Sequence, residues 1–459
     1  MKIIYIANAR IPTEKAHGIQ IMKMCEAFAS CRGRYTQIEL PSTDTQIHAD
    51  ESYLRRSAYA EGKNQRVSAS NSKVEVELLI PKRHNPDFKN TDPFNYYKVK
   101  RIFKIKKLPC LDLIERPIIK YFGRLGLWIE IFSFSLSVFF YLLFKKADII
   151  YSRDPFSLFL LSFLNKNLVY EAHTFPSHFF WYKYFFKKIK GVITITKKLK
   201  EDFIRYDMNP KKILVVPDGV DLKKFQVKEN KEECRKKLNL PIDKKIILYT
   251  GHLYRWKGAQ ILAESAKFLG EDILVIFVGG TKNDISRFKV ENCKFKNILV
   301  IGQKPHSEIP FWLKAADILV LPNSGTEKIS KYWTSPLKLF EYMAAKKPIV
   351  ASNLPSIREI LYDRSRYTQM ELASQDTQIH AEKSYLRVSA YAKDKNLRVS
   401  ASANAILVEP DNPKALAEGI KLALKNPDLS VKISKQAYKD VKKYTWGKRA
   451  EKILHFVLR

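Results

Sequence analysis

A chain of 459 residues is long enough for two domains with full cores, and 46% apolar content with 12% aromatic residues excludes a disordered protein. Lysine and arginine outnumber acidic residues 81 to 47, a net charge of +34 that attracts nucleic acid, anionic lipid or a nucleotide diphosphate. Without zinc-ligand spacing or an Arg-rich recognition helix, nucleic acid fits least and is not expected as a partner; five scattered cysteines with no CxxC suggest reduced thiols in a cytoplasmic protein.

Lys2 to Ala7 reads as a buried strand, too short an apolar run for a signal peptide. Arg10 to Gly18 follows as a loop before a helix from Ile19 to about Ala29, with Gly18 at the helix entry where backbone can approach a ligand. The segment Arg34 to Ser70 then recurs as Arg366 to Ser402, with about three-quarters of the aligned positions identical. Two distant copies cannot stack as a solenoid, so they read as one segment inserted twice, each between a helix and its following strand. Their charged, Ser-rich composition predicts exposed loops.

Lys98, Lys100, Arg101, Lys104, Lys106 and Lys107 form a basic run, and Leu127 to Phe144 is apolar enough to raise a membrane span. A single crossing would separate strands of one sheet, so the expectation is a helix packed on that sheet. Phe179 to Lys190 interleaves rings with lysines, which suits a membrane interface; for this segment and for the basic run an exposed lysine face on a core helix fits as well. Between these segments, Asp148 to Tyr151, Leu168 to Glu171 and Val192 to Ile195 are short strands alternating with helices, the pattern of a parallel doubly wound sheet. His173 lies just past one strand end, where such sheets build their sites, although structural histidines are also common there.

Val215 to Asp221 contains the Asp218-Gly219 turn, read as a hinge. Strand Ile246 to Thr250 ends at Gly251 and is followed by His252 to Gly258, in which Arg255 and Lys257 can charge-balance a diphosphate. Val300-Ile301 ends at Gly302-Gln303, a plausible base-binding edge. Thr334 to Ser352 begins as a Pro-bearing loop and enters a helix; its free N–H groups can hold a phosphate, while Glu341 farther along can accept hydrogen bonds from a ribose. The residues alone also allow an ordinary helix–strand unit.

Ser335-Pro336-Leu337-Lys338-Leu339-Phe340-Glu341-Tyr342-Met343-Ala344, with Pro348 to Ser352 and Pro355 to Glu359, resembles the donor-binding signature of family 4 glycosyltransferases. The resemblance implies the GT-B fold: an acceptor domain over residues 1–217, a nucleotide-sugar domain over 218–440, each Rossmann-like, and a helix over 441–459 crossing back. It implies donor contacts from Gly18, Gly251, His252, Gly302, Gln303, Ser335, Pro336, Leu337, Lys338 and Glu341. His173 would lie beside the donor sugar, with Arg255 and Lys257 acting on the leaving group. Two departures stand out: His252 occupies a place where the family often has Arg, and Trp333 falls where the first of two glutamates is usual.

The expected activity is retaining, metal-independent glycosyl transfer from a nucleoside diphosphate sugar, with no cofactor, to a lipid-linked or glycan acceptor. No DxD occurs in the sequence. Peripheral contact with an anionic membrane at its cytoplasmic face is expected. An epimerase on the same fold or a non-catalytic sugar-nucleotide binder are the alternatives, and a panel of nucleotide sugars separates all three.

Overall fold

A computed structural model describes residues 1–31, 74–112, 124–164, 166–176, 179–292, 295–361, 399–402 and 404–459. The whole first copy of the repeated segment, most of the second, and Cys293 lie outside the described residues.

Seven short strands from the first half form one parallel sheet: β1 (Lys2–Ile6), β2 (Glu75–Pro81), β3 (Lys104–Leu108), β4 (Ile149–Ser152), β5 (Leu168–Ala172), β6 (Gly191–Thr194) and β7 (Ile213–Val215). Their order is β3-β2-β1-β4-β5-β6-β7, so the direction of winding reverses between β1 and β4. Ile3 pairs with Val76 on one side and Ile149 on the other. The pleat sorts β1 cleanly: Ile3 and Tyr5 enter the core under the helix Ala16–Ser30, Ile4 and Ile6 the core on the opposite face. Burial on both faces explains why these strands read as unbroken apolar runs.

The second half repeats the plan with β8 (Lys245–Thr250), β9 (Ile273–Val278), β10 (Ile298–Gly302), β11 (Ile318–Leu321), β12 (Ile349–Ser352), β13 (Val399–Ala401) and β14 (Ile406–Val408). The order is β10-β9-β8-β11-β12-β14-β13, with reversal between β8 and β11. Six of these strands run parallel and β13 pairs antiparallel with β14 at the edge. The chain is therefore α/β with two doubly wound sheets.

The helix Trp446–Val457 packs in the first sheet's core, where Trp446, Ala450, Ile453, Leu454 and Val457 join Ile3, Tyr5 and Phe28. Val220 pairs with Thr445, so the two chain crossings between the halves run side by side.

Four local expectations change. The first helix begins at Ala16, earlier than Ile19, which puts Gly18 inside its first turn. The basic run is no helix face: Lys104, Lys106 and Lys107 lie on β3, where charge discourages edge-to-edge pairing. The helix Arg124–Leu143 does pack on the sheet through Phe134, Val138 and Leu142, yet Leu125, Trp128, Phe132, Leu136, Phe140 and Leu143 face solvent at three-to-four spacing. Finally, the repeated segment is not wholly loop, since the last residues of its second copy form β13 and bury Ser402. The residues flanking that copy meet, with Asn404 donating to the Leu361 carbonyl at 2.9 Å.

Candidate functional site

The carboxyl ends of both sheets open onto one cleft of about 290 Å³. Its walls come from the turns after β1, β4, β5 and β7 on one side and after β8, β9, β10 and β11 on the other, together with the helix Leu337–Ala344. Parallel sheets place their ligand sites where winding reverses, and here two such points face each other.

On the second-half wall, Gly251, His252, Lys257, Gln303, Ser335, Pro336, Leu337, Lys338 and Glu341 all line the cleft. Gly251 has φ +117°, a conformation open to glycine and strained for any other residue. The first turn of Leu337–Ala344 has no side-chain cap; Leu339 N–H donates to the Pro336 carbonyl at 2.9 Å, which leaves the amides of Leu337 and Lys338 to an anion. Lys338 sits in that turn with Nζ buried, 3.8 Å from the centre of the Tyr249 ring and without a hydrogen-bond partner among the described residues. Burial, then repulsion from Lys257, pulls its basicity well below that of an ordinary lysine. Burial lowers Lys257 to about 8. Two desolvated ammonium groups and a bare helix end make a site that is unfavourable empty and favourable around an anion.

Glu341 lies one turn farther along, where His306 Nε2 is 2.7 Å from its carboxylate. The imidazole fixes the direction of a group suited to accepting two hydroxyls. His252 stacks on Tyr254 at 4.9 Å and an interplanar angle of 4°. Burial and Lys257 keep its ring neutral, so it offers one donor where a guanidinium would offer a fork.

Three expected residues do not reach the cleft surface. Arg255 is exposed in a 3₁₀ turn spanning Arg255–Lys257, whose tight winding points Arg255 and Lys257 in different directions; Trp256 lines the wall instead. Gly18 serves packing, since a Cβ there would fall 2.2 Å from the Tyr97 hydroxyl. Gly302 ends β10 behind Gln303, with its own amide environment in the sheet. Trp333 also turns away: its indole donates to Asp202 at 2.8 Å, tying the donor loop to a helix of the first half.

The first-half wall brings together residues with no contiguous pattern. Beside His173 stand Gln20 and His17 from the first helix, Arg153 from the turn after β4, and Asp218 from the crossing. Glu171 lies behind them, fully buried. Its neighbours Tyr170 and Ala172 face the other layer, so the pleat directs the carboxylate under the helices Ala16–Ser30 and Trp446–Val457. There it accepts from Tyr151 at 2.6 Å, Gln20 at 3.0 Å and Arg449 at 2.8 Å, with His173 Nε2 also at 2.8 Å. Burial alone would raise its pKa, but Arg449 and the His173 hydrogen bond outweigh it and hold the carboxyl ionised. Asp218 goes the other way: burial raises it to about 7 despite Arg449. Its backbone N–H donates to Ser335 Oγ at 2.9 Å, joining this cluster to the donor loop. Position after β4, at the reversal of winding, is the one signal that could have marked Arg153 in advance; Gln20 and Arg449 carry none.

The pattern described as "Glycosyltransferase Family 4" matches residues 70–224, and that described as "Glycosyl transferases group 1" matches residues 230–382. Among curated relatives, the putative teichuronic acid biosynthesis glycosyltransferase TuaC of Bacillus subtilis is 30% identical over 182 residues, 38% of this chain and 42% of that protein. The UDP-Gal:α-D-GlcNAc-diphosphoundecaprenol α-1,3-galactosyltransferase of Escherichia coli is 31% identical over 156 residues, 32% of this chain and 38% of that protein. The chain thus spans about two fifths of the length of these curated relatives. The crystal structure of Anabaena HepE in complex with UDP superposes over 99% of this chain and 98% of its own, with a TM-score of 0.62 at 13% identity, a likeness of fold. Two consecutive family patterns, the donor-loop signature in place on the cleft and the paired doubly wound sheets lead to one assignment: the chain belongs to the family 4 glycosyltransferases, with the GT-B fold.

Proposed function

We propose that this protein is a retaining, metal-independent glycosyltransferase that moves a sugar from a nucleoside diphosphate sugar to a hydroxyl of a lipid-linked or glycan acceptor. The observation that carries the reading is the convergence of Lys257, Lys338 and an uncapped helix N-terminus on one point of the cleft, with Glu341 a turn beyond. A diphosphate at that point places its ribose within the natural reach of Glu341 and its sugar toward His173. As the bond from the sugar to the diphosphate breaks, negative charge grows on the leaving oxygen. The two ammonium groups stabilise it there, and fixed cations in a water-poor cleft act without reorganising. The acceptor hydroxyl attacks from the same face and passes its proton to the departing phosphate oxygen, so configuration is kept. The UDP held by the HepE neighbour and the diphosphoundecaprenol acceptor named for the E. coli relative support the donor and acceptor classes.

The same reading places the protein at the cytoplasmic face of a membrane. Its support is the solvent-facing stripe of Leu125, Trp128, Phe132, Leu136, Phe140 and Leu143, together with the helix Phe179–Lys188, which packs on the same core beyond the helix Pro155–Leu161 and presents Lys183, Lys187 and Lys188. Exposed rings and lysines on one side of the sheet suit an anionic bilayer surface.

Incubation with UDP-, GDP- and ADP-sugars tests the activity: slow hydrolysis or transfer that persists in EDTA supports it, while epimerisation or binding alone rejects it. Sedimentation with vesicles tests the surface. The protein should pellet with anionic vesicles and lose most of that binding in Phe132→Ser/Phe140→Ser; equal recovery of the wild type and this double variant would reject the stripe as the contact.

A further inference from the structure

We infer that Arg449, far from the donor loops in sequence, is a positioning residue: through Glu171 it fixes which nitrogen of His173 carries the proton, so that the ring offers the cleft a hydrogen-bond acceptor. The identity of the ligand that uses this acceptor rests on the transferase reading; the state of the ring does not.

The argument follows from counting donors around Glu171. Oε2 receives the hydroxyls of Tyr151 at 2.6 Å and Tyr5 at 3.4 Å, and Oε1 faces Arg449 Nη2 at 2.8 Å and Gln20 Nε2 at 3.0 Å. These donors hold the carboxylate ionised, and the two amide protons of Gln20 go to Glu171 Oε1 and Asp218 Oδ1, so Gln20 Nε2, 3.2 Å from the ring nitrogen, has none left for His173. The ring nitrogen 2.8 Å from Oε1 must then be an N–H, which makes His173 Nε2 the donor. Burial and the neighbouring Arg153 keep the imidazole neutral, with a pKa near 4. A neutral ring has one N–H, so Nδ1 is a lone pair, and it has no partner among the described residues although the ring lines the cleft. That lone pair suits a hydroxyl of the bound sugar.

Arg449 is what keeps this arrangement stable. Its Nη2 also lies 3.8 Å from Asp218, and Gln20 bonds both Asp218 and Glu171, so two buried carboxylates share one guanidinium. Remove that charge and both carboxylates bind protons more readily, Asp218 first, since burial already raises it to about 7. With Asp218 replaced by Asn, Glu171 is the carboxylate left to take the proton; its O–H would donate to Nε2, and His173 would turn its Nδ1–H to the cleft: an acceptor would become a donor. The groups bearing on the ring are thus Glu171 on its own strand, Gln20 and His17 on the first helix, Arg153 after β4, Asp218 on the crossing and Arg449 on the terminal helix.

The test reads ¹⁵N resonances of the imidazole in the full-length, ligand-free protein at pH 7.5, with His173→Gln to assign the signal. The wild type should show a bare Nδ1 and a protonated Nε2. Arg449→Met/Asp218→Asn, in which Asp218 cannot take the proton, should move the ring proton to Nδ1 in a substantial fraction of molecules when compared with Asp218→Asn alone, and Arg449→Lys/Asp218→Asn should restore much of the original pattern. Should the Met variant not fold, the Lys variant and the wild type still report the state of the ring. A protonated Nδ1 in the wild type, or a ring unchanged by loss of Arg449 in the folded Asp218→Asn background, overturns the inference. Because no sugar nucleotide is present, an absence of transferase activity would leave this result standing, and the reverse holds as well.

Discussion

The two walls of the cleft are built in opposite ways. The second-half wall is local: Gly251 to Lys257 and Ser335 to Glu341 are short continuous stretches, each a strand end or helix start whose own backbone aims the side chains. The first-half wall is assembled from afar, with Gln20, Arg153, Glu171, Asp218 and Arg449 drawn from five separate elements into one hydrogen-bonded cluster. The local wall carries buried lysines of lowered basicity that an anion would charge, whereas the assembled wall satisfies its charges internally. One is built to bind and the other to hold geometry.

The sharpest test of that contrast is loss of charge on the local wall. Lys257→Ala should lower kcat by about 10²–10³-fold with little change in affinity for the nucleoside alone, while Arg255→Ala should change kcat far less. Comparable losses in both would mean that the 3₁₀ turn rearranges on binding. Next in size, Glu341→Ala should weaken UDP binding about tenfold or more in calorimetry, since a carboxylate bonding two hydroxyls is worth roughly 1.5–3 kcal/mol. Unchanged affinity would remove Glu341 from the ribose.

A smaller effect concerns protons. Burial lowers Lys257 to about 8, and a bound diphosphate favours its ammonium form, raising that value. Between about pH 8 and 10, UDP binding should therefore take up a fraction of a proton, visible as a dependence of binding heat on buffer ionisation enthalpy. Lys257→Arg should reduce the uptake, the remainder belonging to Lys338, which burial also lowers; an uptake unchanged in that variant would take the proton away from Lys257. The smallest effect separates the two copies of the repeated segment. Deleting residues 34–70 should change stability by about 1 kcal/mol or less, the scale of loop-closure entropy. Deleting 366–402 also removes β13, and its melting temperature should fall by about 2–4 °C more. Equal melting temperatures would mean that β13 adds nothing to the sheet.

Legibility in the sequence follows the same division. Alternating apolar strands and helices announced both sheets, because a parallel strand covered on both faces must be apolar throughout. Ser335 to Lys338 and Glu341 were readable because loop, helix start and ligand group are neighbours in the chain. Arg255 was misplaced since sequence adjacency to Lys257 does not say which way a 3₁₀ turn points. Trp333 likewise kept its place in the motif but spends its indole on Asp202. Glu171 was visible only as a strand residue. Its role depends on a guanidinium 278 positions away, a relation that no periodicity or spacing encodes.

That separation also sets an order of events during synthesis. Trp446, Ala450, Ile453, Leu454 and Val457 complete the core of a sheet whose last strand, β7, ends at Val215. While the ribosome makes the intervening half, the first sheet has all its strands but an open apolar face, and Glu171 waits without its cation. The second half, closed by its own residues, can mature sooner than the domain made before it. A released chain truncated after residue 443 should therefore show a protected second sheet and a first sheet open to protease and chaperone. Release of the final helix would seal both in one step.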